Sequence, residues 1–68
     1  MIKIIYSAKN FIILKYNDTY ICYSYGKKIA EYTNKLTIYN SKIVTQKNKC
    51  HLKIFKKTLD NYNIIYYN

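Results

Sequence analysis

Turn-forming residues fall at hairpin spacing through the first forty positions, and this constrains the fold more than any other feature of the chain. Ile2-Lys3-Ile4-Ile5-Tyr6 opens as a strand, and Ser7-Ala8-Lys9-Asn10 supplies a turn. Phe11 to Tyr16 is an apolar strand, followed by Asn17-Asp18, a pair that tolerates positive φ in a two-residue loop. Thr19 to Tyr25 is rich in aromatic and β-branched side chains, and Gly26, the one glycine, marks the next turn. Lys28 to Thr33 and Lys35 to Tyr39 pair across Thr33-Asn34. In the second of these, Leu36 and Ile38 share one face while Lys35, Thr37 and Tyr39 share the other. That alternation belongs to an antiparallel sheet with one solvated face.

After Ser41 the period changes. On a helical wheel Leu52, Phe55 and Leu59 fall in one narrow sector, and Lys49, Lys53, Lys56 and Lys57 gather in another. Strict alternation breaks at Phe55-Lys56-Lys57, so the helical template is the better fit. Thr45 is the expected N-cap, with the helix running to about Asp60. Lys56 and Lys57 then sit in the last turn, where cations suit the helix dipole. The tail, Tyr62 to Asn68, reads either as a closing strand or as a frayed end. The expected fold is therefore α+β: a single small domain over residues 1–68, an antiparallel meander of four to five strands with one C-terminal amphipathic helix on a face. Ile2, Ile4, Ile13, Ile21, Ile29, Leu36, Ile38, Leu52, Phe55 and Leu59 are the expected core.

A chain of 68 residues buries only about 60% of its unfolded surface, so its stability margin is thin without a staple. Two cysteines, Cys22 and Cys50, are too few for a disulfide-rich secreted framework, and reduced thiols in a cytoplasmic protein are expected. The apolar runs Ile4-Ile5-Tyr6 and Phe11-Ile12-Ile13-Leu14 are too short to span a bilayer and do not read as a signal peptide. Small size also makes a homodimer an expected route to stability.

Charge narrows the mode of action. The formal charge is +9, from twelve Lys and no Arg against three acids, Asp18, Glu31 and Asp60. Abundant Lys and Tyr follow from AT-rich coding as readily as from selection, but scarce acids do not. A surface of this kind is drawn to nucleic acid or to an acidic protein partner. A membrane is disfavoured, because the helix lacks a broad apolar face.

Catalysis has little to draw on. General acid–base chemistry needs paired titratable groups, and the inventory is three acids and His51. Cys50 and His51 are adjacent on a helix and point about 100° apart, so they do not form a nucleophile–base pair. The bland reading is a partly exposed helical His beside a buried Cys. Cys22, Cys50 and His51 give three metal ligands at most where a zinc site takes about four. One glycine cannot build a phosphate loop. No enzyme activity, catalytic residue, metal or cofactor is expected.

Ten tyrosines supply the better case. Tyr20 and Cys22 share one strand face, and Ile21, Tyr23 and Tyr25 the other, with Tyr16, Tyr32 and Tyr39 on neighbouring strands. Rings on a solvated face with Lys between them make a stacking platform for single strands, at roughly 1–3 kcal/mol per base. The Lys49, Lys53, Lys56 and Lys57 stripe would track phosphates as point charges, without the bidentate grip of Arg. The same residues suit an acidic protein surface equally well. Against both stands the plain alternative that Tyr furnishes core and rim and that a lysine face is merely solvated.

Ser24-Tyr25, Ile29-Ala30, Leu36, Tyr39 and Thr45-Gln46-Lys47 together resemble a group of very small phage-encoded proteins. Their pattern is a Ser-Tyr, an Ile-Ala a few residues on, and a Thr-rich Lys-His segment; it covers roughly residues 20–55 here. Asn48 stands where the pattern has His, and His51 comes later. The group has no agreed activity, so the resemblance implies an origin in a phage or mobile element. Small proteins of that origin commonly act by stoichiometric binding, some of them as inhibitors of host defence, CRISPR inhibitors included. By analogy, the expectation is a protein that blocks a nucleic-acid-handling host complex through its Tyr/Lys surface. The alternative is a direct, sequence-tolerant binder of single-stranded RNA or DNA.

Overall fold

A computed structural model describes residues 1–64. Five strands, β1 (Ile2–Ala8), β2 (Phe11–Tyr16), β3 (Thr19–Ser24), β4 (Lys27–Tyr32) and β5 (Leu36–Ile38), are followed by a 3-10 turn (Asn40–Lys42) and the helix α1 (Gln46–Asn61). The strands form one antiparallel sheet in the order β1-β2-β3-β4-β5, so each pairs with its sequence neighbours. The α+β meander expected from the turn spacing is the fold.

The hairpin turns use the residues their geometry requires. Asn10 and Asn17 take left-handed backbone (φ 62 and 57°), as do Tyr25 and Gly26 (φ 53 and 78°) in the β3–β4 turn. Asn and Gly enter this region at little cost, whereas Tyr25 pays for it, because its Cβ crowds the following carbonyl.

Period-two alternation gives the sheet two faces. On one lie Phe11 and Ile13 of β2, Tyr20, Cys22 and Ser24 of β3, and Ile29 and Ala30 of β4, all buried. Phe55 and Leu59 of α1 are fully buried against them, with Leu52, Leu36, Ile38 and Ile43 packed around. Burying each large side chain contributes about 1.5–3 kcal/mol. The helix thus covers one face and leaves the other bare.

Two bulges decide which residues reach the core. In β1 the pairing passes from Ile4↔Leu14 to Tyr6↔Ile13, so Ile5 is the extra residue and packs toward the helix. Ile2 and Ile4 are consequently thrown onto the bare face, 62% and 60% exposed, which corrects their expected place in the core. Ile21, also expected in the core, lies half-buried on that same face opposite Leu14. In β4 the register moves between Ala30 and Lys28, so that Ile29 and Ala30 are both fully buried.

Helix α1 is defined at both ends by its sequence. Thr45 is the N-cap: its hydroxyl accepts from the Asn48 N–H at 3.1 Å, and the Asn48 side chain accepts from the Thr45 N–H at 3.1 Å, a closed capping box. At the other end Asn63 takes left-handed backbone, its N–H donates to Asp60, and the Ile64 N–H donates to Leu59. This is a Schellman motif, completed by Ile64 packing on the core. Tyr62 to Ile64 therefore terminate the helix rather than begin a strand, and the remainder of the tail read as a closing strand lies outside the described residues.

Candidate binding surfaces

Three surfaces follow from this architecture: the outer side of α1, a cleft at its N-terminus, and the bare face of the sheet. Because Leu52, Phe55 and Leu59 turn inward, Lys49, Lys53 and Lys57 are exposed along α1, with Lys56 half-buried beside them. The stripe read from the sequence is therefore real. Among the described residues the only ion pair is Lys28–Glu31, so none of these ammonium groups is in a direct ion pair with a described acid, Asp60 at the end of the same helix included.

The cleft, of about 380 Å³, opens between the β3–β4 turn, the 3-10 turn and the start of α1. Lys27, Lys42 and Lys47 line it together with Tyr25, Ser41 and Thr45, and no acid is among its lining residues. Tyr25 stands at its edge, half exposed, in the left-handed conformation noted above. A non-glycine residue held there costs on the order of 1 kcal/mol, and strain of this kind concentrates at functional positions.

Under the cleft a buried polar cluster ties helix to sheet. The Asn48 side-chain oxygen accepts from the Val44 and Thr45 N–H groups, both at 3.1 Å, and its amide nitrogen donates to Ser24 Oγ at 2.8 Å. Ser24 Oγ lies 2.6 Å from His51 Nδ1. Ser24 Oγ, which accepts from Asn48, either donates its proton to Nδ1 of a ring protonated at Nε2 or accepts a second bond from Nδ1–H. The ring is held by stacking on Phe11, with centroids 4.5 Å apart and planes 10° from parallel. A serine hydrogen-bonded to a histidine has the look of a nucleophile and base, but Ser24 is 1% exposed and bonded on both sides, a position that suits an anchor.

Burial, and secondarily Lys47, holds the His51 pKa below its ordinary 6.5. The unfolded chain then takes up a proton near pH 6.5 while the folded protein does not until lower pH. Stability is accordingly full above 6.5 and falls as pH drops through the window beneath it. Urea unfolding should give a lower midpoint at pH 5.5 than at 7.5, and His51→Gln should flatten that difference. A pH-independent wild type over this range would contradict a His51 pKa lowered by folding.

The tyrosines do not form one platform. Tyr20, expected at the binding surface, is buried: it lies under α1, edge-on to Tyr62 with Lys15 over its ring, because β3 turns its even positions inward. Tyr32 is half-buried on the same side, against the core. Tyr16, Tyr23 and Tyr39 belong to the bare face, across the sheet from the lysine stripe, and Tyr25 leaves the strand for the turn. The single Tyr/Lys surface therefore divides in two. Cys50 is also corrected: it is exposed and Cys22 is buried, both as free thiols, and burial pushes the Cys22 thiol up to about 12.

The chain matches no protein-family model, no curated protein and no solved structure. Among the described residues no helix is long and apolar enough to cross a membrane, and no group of three or more His, Cys, Asp or Glu side chains is placed to hold a metal ion.

The bare face completes the inventory. Ile4, Leu14 and Ile21 form a row across β1, β2 and β3, flanked by Ile2 and Tyr16 on one side and Ile12 and Tyr23 on the other. Of the strand lysines, Lys3, Lys15 and Lys27 lie on the helix side, and only Lys28 projects here. It pairs with Glu31 at 2.9 Å and sits over the Tyr39 ring. The hydrogen bond from Lys28 holds the Glu31 carboxyl below its ordinary range, so the pair is zwitterionic at neutral pH.

Proposed function

We propose that this is a non-enzymatic binding protein of the phage or mobile-element type, which blocks a nucleic-acid-handling host complex by occupying it. The grip is the cationic side of the molecule: Lys49, Lys53 and Lys57 along α1, continued by Lys27, Lys42 and Lys47 around the cleft. The observation that carries this reading is the concentration of unpaired ammonium groups on one side, with no acid lining the cleft. Such a surface matches either phosphates or the acidic face of a protein that handles them. Tyr25, exposed among the cleft lysines, is the aromatic anchor of the contact.

The test uses immobilised protein and nuclease-treated host lysate. The expected result is retention of a nucleic-acid-handling complex, loss of that retention with Lys49→Glu, Lys53→Glu and Lys57→Glu combined, and inhibition of the purified complex near one equivalent. A purified complex that keeps full activity under excess protein would sink the reading. The second reading, direct binding of single-stranded RNA or DNA, is favoured by the same Tyr25 ring, which could stack on a base while the cleft lysines hold phosphates. Fluorescence anisotropy with labelled single strands at about 50 and 200 mM salt separates the two, since phosphate-dominated binding falls by orders of magnitude over that range. A direct binder would also lose about three from its log–log salt slope in the triple variant.

A further inference from the structure

We propose that the bare face of the sheet is a self-association surface on which two copies stack face to face, forming a helix–sheet–sheet–helix dimer. The first argument is charge. A molecule of net charge +9 repels its own kind, so self-contact is tolerable only where the cations are absent or paired. This face comes close to that condition, with its one strand lysine paired to Glu31 and Lys35 confined to the β5 margin, while the helix side does not.

The second argument is composition and size. Ile2, Ile4, Ile12, Leu14, Ile21 and Tyr23 make a continuous apolar surface with two members more than half exposed. Isolated apolar side chains on a surface need no explanation, but a contiguous patch this broad marks an interface. The whole molecule is 27 by 27 Å across its two longer extents, so a contact on this face must engage most of it to approach the roughly 800 Å² per partner that a stable interface uses. Twisted sheets pack face to face at about 10 Å with their inner side chains interdigitated. Nucleic acid fits this surface poorly, for its strand lysine is already paired with Glu31 and Lys35 lies only at its margin, beside Glu31 and Thr37.

The third argument is the half-built core. Among the described residues the fully buried apolar side chains lie only between sheet and helix, and a second copy would close the other side. A twofold contact is self-complementary, so one apolar row serves both partners. The two lysine-bearing helices then face outward on opposite sides of the dimer, giving it two equivalent cationic surfaces.

Sedimentation equilibrium of the full chain, over a range from about 1 to 200 μM, tests this. The expected species is twice the 8.2 kDa chain mass, with a melting temperature that rises with protein concentration. Ile4→Lys replaces an exposed side chain and leaves the monomer folded by circular dichroism. It should raise the dimer dissociation constant on the order of a hundredfold, because two unpaired ammonium groups would be buried. Ile21→Lys strikes the centre of the face and should do the same; should it fail to fold, Ile4→Lys still decides. A wild type that is monomeric throughout overturns the proposal, and doubly so if it sediments with zwitterionic phosphatidylcholine vesicles in a way that Ile4→Lys abolishes, which would assign the face to lipid. A dimer that survives Ile4→Lys but dissociates with Lys53→Glu overturns it as well, by moving the contact to α1.

Discussion

Phe55→Ala should leave the protein largely unfolded at room temperature. Phe55 is fully buried and is the largest side chain at the centre of the helix–sheet contact. Truncating a buried Phe costs about 3–5 kcal/mol, the lost transfer free energy plus the cavity left behind. A single core in a chain this small supplies only about 3–5 kcal/mol of net stability, so one substitution consumes the whole margin. Circular dichroism and urea titration at fixed protein concentration would show this as a missing or strongly shifted transition. Lys53→Ala, on the outer side of the same helix, should move the midpoint by less than about 0.5 kcal/mol. A cooperative Phe55→Ala transition close to that of the wild type would mean that α1 is not the lid of the core.

The second large effect belongs to a polar residue. Asn48→Ala should cost about 2–4 kcal/mol, more than an ordinary capping substitution, because its side chain serves three groups at once. The Val44 and Thr45 N–H groups lose their acceptor, and the buried Ser24 hydroxyl loses its donor. Thr45→Ala removes only the reciprocal half of the capping box and should cost about 1 kcal/mol. The two residues share one network, so the double variant should be less destabilised than the sum of the single ones. Strict additivity would show that the two halves of the capping box act independently, and an Asn48→Ala penalty no larger than that of Thr45→Ala would show that the Ser24 bond contributes nothing.

Both effects bear on how far the fold was readable from residues alone. The meander and the helix were legible because turn chemistry and hydrophobic period agree in each segment, from Asn17-Asp18 through Gly26 to the Leu52, Phe55, Leu59 sector. The faces of the sheet were not. Phe11 to Leu14 is apolar at every position, so alternation cannot tell which half meets the helix. In β1, Ile2, Ile4 and Tyr6 would share a face in an unbroken strand, and only the bulge at Ile5 parts them. A bulge leaves no mark in a run of isoleucines, which is why Ile2 and Ile4 were expected inside.

The candidate surfaces show the same division. The lysine stripe was legible because its spacing is helical and charge excludes it from the core. Tyr20 was not, because tyrosine is suited both to a core with a polar exit and to an exposed platform. The Ser24–Asn48–His51 cluster joins residues more than twenty positions apart, and nothing local in the sequence announces it. The sole hint was Asn48 at the third position after Thr45, where a side-chain acceptor can close a capping box.

The nearest-neighbour order of the strands also sets a sequence in time. Each hairpin closes over a loop of a few residues, so the sheet can zip from β1 onward at small entropic cost, as the chain emerges. The helix follows last in sequence, and until it docks the apolar side of the sheet that it covers is open to solvent along with the bare one. Slow docking of α1 would leave an intermediate with apolar surface on both sides, the kind of species from which aggregation starts.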